Sequence, residues 1–392
     1  MQSTVTWEEI RDGKVTDVYF ERTREILQAR DIHKVVTAEF TAKSLPEKYD
    51  WAVFSGLNEA ADLLADIPVD VESIPEGTLF HPNEPVLSIT GDYLDFGVYE
   101  TAILGYLCQA SGIATKAARV RKSAGDRPAV SFGARRMHPS IAPMVERNAY
   151  IGGCDGVATV AAAEYLGQEP VGTIPHALVL LMGDTVEATR AFEEIIDTKV
   201  NRISLIDTFS DEKFESLRVA ESLGDALFGI RLDTPGSRRG DMLEILKEVR
   251  WELDLHGYDQ VQLFVSGGLD EYTIDRYNEV ADAYGVGTSI SAAPTIDYAM
   301  DIVEIEGKPM AKRGKPSGTK TLWRCEEDFT YQTTPRIPES QAPRCPTCDR
   351  QMAPLTGTLY NDGKRTRELP DHDSIRDYVL QQLPLVELIL DK

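Results

Sequence analysis

Thr173 and His176 stand three residues apart in the run Val171-Gly172-Thr173-Ile174-Pro175-His176, at what reads as the end of an apolar strand. A neutral imidazole at such a tip can act as a base or as a nucleophile. Arg231 and Asp233 lie two apart on another strand-like run, so both point to one face. Arg231 suits an anionic substrate and Asp233 a cation or a developing positive charge; an internal ion pair is the structural alternative. Arg135, Arg136 and His138 form a second cationic tip, and arginine is suited to bidentate contact with phosphate or carboxylate. Asp207 ends its run alone and could hold Mg²⁺ or a ribose hydroxyl. Gly267-Gly268 and Gly287-Thr288-Ser289 follow two further apolar runs. Paired glycines let backbone N–H groups approach a phosphate, and Thr288 and Ser289 add hydroxyl donors. The set suits a phosphorylated, pyrophosphate-bearing substrate.

These tips meet only if the elements behind them bring them together. From about 128 to 291 the sequence alternates apolar strand, polar tip and helix, which predicts βα units and a parallel sheet. Helices are expected over 184–196, 211–223, 239–255 and 270–284, several of them opening on Asp. Six or seven strands can be counted, depending on how Cys154-Asp155-Gly156-Val157 is read. An eight-fold barrel takes about 250 residues, more than the segment offers. An incomplete, open α/β barrel is therefore expected, with its tips on one face and a doubly wound sheet as the alternative.

Residues 1–115 read as a separate α+β unit. Pro75–Phe80 and Glu84–Ile89 read as two strands joined by the turn His81-Pro82-Asn83. A helix is expected from Leu94 to Ala118, and its basic end, with Lys116, Arg119, Arg121 and Lys122, reads as a solvated terminus. A hairpin over 301–313 is expected to return to the N-terminal unit and complete it over about 292–320, leaving 116–291 as the central domain. Residues 321–392 read as a small C-terminal segment, poor in apolar residues at its start.

A net charge of −23 makes binding of nucleic acid through a basic face unexpected. The 42% hydrophobic content permits full cores and argues against disorder. No run approaches the ~20 apolar residues of a membrane span, and the N-terminus lacks the pattern of a signal peptide, so a cytoplasmic location is expected. Of the five cysteines, Cys108 and Cys154 read as buried thiols. Cys345-Pro346-Thr347-Cys348 has the spacing of a zinc hairpin, with Cys325 upstream.

In this order the motifs resemble those of the nicotinate phosphoribosyltransferase family, in its archaeal-type branch. The carriers are Thr16–Phe20, Pro75–Thr78, Glu84–Leu87, Ser131–Arg136, Gly172–Ala177, Arg231–Asp233, Ser266–Asp270, Gly287–Ser289 and Lys312–Lys315. The resemblance implies an N-terminal α/β sandwich packed on an incomplete barrel, and a homodimer with a shared active site. It implies transfer of the ribosyl phosphate of phosphoribosyl pyrophosphate to nicotinate, giving nicotinate mononucleotide and pyrophosphate in NAD salvage. ATP hydrolysis would be coupled through a phosphohistidine, by motif position His176. Tyr19, Thr173 and Arg231 would contact nicotinate. Gly267, Gly268 and Thr288 would hold the 5-phosphate, and Arg135, Arg136 and His138 would face the pyrophosphate side. Mg²⁺ is implied, with Asp233 and Asp207 as its nearest candidates, and Asp233 could also stabilise the oxocarbenium-like transition state. The branch often carries two Cys-x-x-Cys pairs; here Asp328 stands where the fourth cysteine would be. Asp328 could complete a zinc site with Cys325, Cys345 and Cys348, with His372 as a second candidate. Quinolinate and nicotinamide phosphoribosyltransferases, or a non-catalytic phosphate-binding barrel, are the alternatives.

Overall fold

A computed structural model describes residues 3–390. The chain divides into two compact units, one running to Thr115 and resuming over Pro294–Ile389, the other spanning Lys116–Ala293.

The first unit is built on a seven-stranded sheet whose neighbouring strands are all antiparallel, in the order 308–309, 298–305, 35–42, 85–92, 70–73, 357–361, 364–365. Strand Val35–Ala42 shows the cause of its layering. Val36, Ala38, Phe40 and Ala42 alternate into a core that also takes Leu57, Leu63 and Leu64 of helix Leu57–Leu64 and Ile103 and Leu107 of helix Glu100–Ala124. On its opposite face Glu39 is buried and ion-paired with Lys320 at 2.7 Å. The expected hairpin of 75–80 with 84–89 does not form. Leu79–Phe80 pairs with Ala52–Val53, while Pro85–Asp92 lies between 35–42 and 70–73. Strand Tyr298–Ile305 and its short partner Lys308–Pro309 do form a hairpin, and the former pairs with 35–42. The tail is not one separate segment: 320–324, 331–335 and 353–354 make a three-stranded sheet, whereas 357–361 extends the main sheet beside 70–73.

The second unit holds a six-stranded parallel sheet in the order 156–157, 129–131, 283–286, 262–266, 229–232, 203–205. The helices between strands are capped as their aspartates foretell. Asp184, Asp211, Asp241 and Asp270 each accept from backbone N–H groups of the first turn. Two expected boundaries move. The third helix starts at Met242, behind its cap Asp241, rather than at Arg239. The fourth stops at Tyr277, because Ala283–Val286 is the last strand and its buried run belongs to the sheet. The basic end of the long helix is not solvated. Lys116 and Arg119 are buried and both contact Glu271, at 3.1 and 2.9 Å, and Arg121 bonds Asp155. Residues 171–175 form no strand; the Val171 N–H donates to the Val157 carbonyl, alongside the edge of the sheet.

Candidate active site

The chain leaves strand Ile203–Leu205 through Ile206, Asp207 and Thr208, and leaves Gly229–Leu232 through Asp233. His176 opens the helix His176–Met182 directly after Pro175. These three points converge. His176 Nδ1 lies 3.0 Å from Thr208 Oγ1, and its Nε2 lies 3.8 Å from a carboxylate oxygen of both Asp207 and Asp233. Arg231 donates from Nη1 to Thr173 Oγ1 at 2.6 Å, so the two residues expected at one ligand do share one place. The imidazole is 42% exposed, while the Asp207 side chain is 1% exposed.

The electrostatics of this group are strained. Neither carboxylate oxygen of Asp207, nor Arg231 Nε, has a hydrogen-bond partner among the described residues. Burial pushes the Asp207 carboxyl above its ordinary value; His176 and Arg231 oppose this and Asp233 adds to it. Burial likewise pulls the Arg231 guanidinium below its ordinary value, against Asp233 and Asp207, and the charge of Arg135 adds to that fall. An anion beside Arg231 and a cation between the aspartates would each relieve part of the cost.

Gly267 fits the tip of strand Gln262–Ser266 for two reasons: its φ is +89°, and a Cβ there would stand 2.6 Å from Asp233 Oδ1. The backbone after this strand therefore presses against the aspartate. Gly268, at φ +71°, meets nothing within 4 Å and leaves the loop open. Asp270 then caps helix Glu271–Tyr277 through a reciprocal pair with Thr273. Thr288 and Ser289 lie in the short helix Thr288–Ser291 after the last strand. That helix sits against the tip of the first strand, since a Cβ on Gly133 would stand 2.6 Å from the Gly287 carbonyl and from Ser291. Ser289 Oγ, like Ser266 Oγ, is buried without a hydrogen-bond partner among the described residues.

Arg135 and Arg136 form a 3₁₀ turn over Ala134–Arg136 and are exposed. His138 is exposed and accepts from the Ser140 N–H through Nδ1. Tyr19 belongs to the first unit, on helix Val18–Ala29, where it is 58% exposed and its ring lies 4.3 Å from that of Phe20. Sequence reasoning missed Thr208 and the ring pair Phe132–Phe264, stacked at 6.1 Å with Phe264 opposite Arg231 in the sheet register. Thr208 had a usable signal in its place directly after Asp207. Phe264 had none, because it reads as one more apolar strand residue.

In the first unit, Cys325, Asp328, Cys345 and Cys348 bring their ligand atoms within 4.8 Å of one another. The Cys325 and Cys348 sulfurs are 3.5 Å apart, and Cys345 Sγ is 3.2 Å from Asp328 Oδ2. Tetrahedral zinc with sulfur at ~2.3 Å would place two sulfurs about 3.8 Å apart, so the set fits such an ion. His372, the other candidate ligand, opens helix His372–Gln382 and is not in the group.

The profile of the quinolinate phosphoribosyl transferase N-terminal domain matches residues 17–111, and that of its C-terminal domain residues 113–301. A nicotinate phosphoribosyltransferase of Mycobacterium tuberculosis is 30% identical over 96% of this chain and 83% of its own length. The crystal structure of a nicotinate-nucleotide pyrophosphorylase from Pyrococcus furiosus is 51% identical, covers 99% of both chains and superposes with a TM-score of 0.96. Human nicotinic acid phosphoribosyltransferase shares the fold at a TM-score of 0.74, with 20% identity over 95% of this chain and 94% of its own. By its likeness to the mycobacterial enzyme over nearly its whole length, the chain belongs to the nicotinate phosphoribosyltransferase family.

Proposed function

We propose that this chain transfers the ribosyl phosphate of phosphoribosyl pyrophosphate to the ring nitrogen of nicotinate, releasing pyrophosphate, with ATP hydrolysis coupled through phosphorylation of His176. The carrying observation is the convergence of His176, Asp207, Asp233 and the Arg231–Thr173 pair. Arg231 and Thr173 take the nicotinate carboxylate, with Tyr19 stacking on the pyridine from a second copy in a homodimer. Nicotinate supplies its own nucleophile, so positioning matters more than a general base. Asp233 faces the ribose carbon that gains positive charge as its bond to the pyrophosphate oxygen breaks. The Gly267-Gly268 loop, Thr288 and Ser289 receive the 5-phosphate, and Arg135, Arg136 and His138 face the leaving pyrophosphate, the two arginines offsetting its charge. Asp207 and Asp233 would hold a Mg²⁺ ion, whose chemistry is to neutralise charge on the diphosphate; the unpartnered oxygens of Asp207 suit that ion. These roles fall to the second unit, Lys116–Ala293, while Tyr19 comes from the first.

We infer in addition that the six parallel strands curve into an open barrel. Two facts support it. The strands follow one another in sequence order around the sheet, with a single break between 156–157 and 203–205. Ile203 on one edge strand and Val171 beside the other pack against the same cluster of Val130, Phe264 and Ala283. The cysteine–aspartate group is assigned a structural zinc ion, and a cytoplasmic location follows from the nucleotide substrates. No helix of the described residues is long and apolar enough to cross a membrane.

Purified chain supplied with phosphoribosyl pyrophosphate, ATP and Mg²⁺ is expected to form nicotinate mononucleotide from nicotinate, with release of ADP. His176→Asn is expected to lose phosphate labelling from γ-labelled ATP; normal labelling removes His176 from the role. One equivalent of zinc is expected in the isolated protein, and none would leave the cysteine–aspartate group without its ion. Quinolinate is the second reading, favoured by the match of residues 17–111 and 113–301 to the two quinolinate phosphoribosyl transferase domains. Carbon dioxide release from quinolinate, with no product from nicotinate, would establish it.

A further inference from the structure

We propose that Arg231 sets the Thr173 hydroxyl as a hydrogen-bond donor to the substrate, and that the pair thereby selects a ring carboxylate over the neutral carboxamide. The inference deepens the nicotinate reading and rests on it for the substrate, though not for the direction of the hydrogen bond. Arg231 Nη1 lies 2.6 Å from Thr173 Oγ1. A guanidinium carries N–H donors and no acceptor, so the hydroxyl oxygen must accept in this contact. The hydroxyl hydrogen is turned away from the arginine, and among the described residues it finds no acceptor. Arg231 Nε is buried and lacks a partner as well. The oxygen of Thr173 keeps a second lone pair, but a hydroxyl that already accepts from a cation is a stronger donor and a poorer acceptor.

A carboxylate offers acceptors alone, and its charge makes each of these bonds about twice as strong as a neutral one. A carboxamide offers an oxygen at one end and an NH₂ group at the other. Its oxygen can meet the pair, but its NH₂ group then needs an acceptor that the pair supplies poorly. The sheet register shows what stands beside Arg231. Leu205 is opposite it on one neighbouring strand and Phe264 on the other, and neither side chain can accept. Asp207 and Asp233 come two residues after Leu205 and Arg231 and border His176. An amide N–H left bare in such a place costs free energy that a carboxylate does not lose. Arg231 supplies the charge that any anion would meet, and Thr173 supplies a donor whose direction the arginine has fixed.

Turnover of the full chain with phosphoribosyl pyrophosphate, ATP and Mg²⁺ tests this, with nicotinate and nicotinamide compared through the ratio of their kcat/KM values. The ratio is expected to favour nicotinate in wild type. Thr173→Val keeps the shape of the side chain and removes the hydroxyl. The ratio should fall by about tenfold or more in that variant and return in Thr173→Ser. The acceptor that Arg231 Nη1 loses in the valine variant weighs on both substrates and cancels in the ratio, as a purely structural role of Thr173 would. A wild type without preference, a valine variant in which both substrates fall alike, or a folded serine variant that does not restore the ratio overturns the proposal. Calorimetric titration with each pyridine separates the proposal from the transfer reading. A chain that forms no product but binds nicotinate over nicotinamide, with a preference that Thr173→Val removes, overturns the transfer reading and supports the donor pair. A chain that binds neither overturns both.

Discussion

Glu271 and Asp207 are both buried acids of the second unit, with side-chain exposures of 0% and 1%. Glu271 accepts from Lys116 at 3.1 Å and from Arg119 at 2.9 Å, and the Ser123 hydroxyl donates to its backbone carbonyl. Asp207 sits next to a histidine and a second aspartate, and neither of its oxygens has a hydrogen-bond partner among the described residues. Depth therefore does not separate them; the company they keep does. The Glu271 network is complete within the protein and fastens the first turn of the helix behind the Gly267-Gly268 loop to helix Glu100–Ala124. The Asp207 group is incomplete within the protein, as a site for charged substrates has to be.

The contrast can be broken by mutation. Glu271→Ala removes the buried acid that Lys116 and Arg119 both contact and should cost about 3–5 kcal/mol of stability, read as a lower denaturant midpoint. A loss below about 1 kcal/mol would mean that the network contributes as little as a surface pair. Asp207→Asn should do the reverse: little change or a slight gain in stability, with turnover down on the order of 100-fold. Equal losses in both properties would show Asp207 to be structural. A smaller effect extends the comparison to the first unit. Burial, with Asp301 and Asp17 adding and Lys312 opposing, pushes the Glu100 carboxyl from 4.5 up to about 7. Within that interval the folded chain holds a proton that the unfolded chain has lost. This contribution to stability is full below about 4.5 and disappears as pH rises through about 7. Glu100→Gln should therefore raise stability above neutrality by about 1 kcal/mol, after allowance for solvent screening of a partly exposed side chain, and leave it unchanged in acid. An equal shift at both pH values would exclude titration of Glu100 as the cause.

The sequence made the parallel sheet legible because each βα unit is local: an apolar run, a polar tip and an Asp cap lie within a few residues of one another. It also marked Asp207, Arg231 and Asp233, since charge is conspicuous at the end of an apolar run. The fate of Lys116 and Arg119 was not legible, because the acid that buries them lies about 150 residues later and nothing local announces the pairing. The false hairpin of 75–80 with 84–89 has the same origin. Its turn residues are persuasive, but Leu79–Phe80 finds a partner at Ala52–Val53 and Pro85–Asp92 finds two others. Thr208 was hidden for another reason: a threonine beside an aspartate reads as an ordinary turn, and its value depends on a ring brought from 32 residues away.

The seven-stranded sheet draws strand 298–305 and strand 357–361 from the far side of the second unit in sequence. On the ribosome, the first unit emerges with Val35–Ala42 and Asp70–Ser73 each able to pair with Pro85–Asp92 but each missing its other neighbour, and it waits while all of Lys116–Ala293 is made. The second unit has its whole sheet available earlier. The part of the protein translated first is thus the part finished last, and its unpaired strand edges are the surfaces most open to aggregation during synthesis.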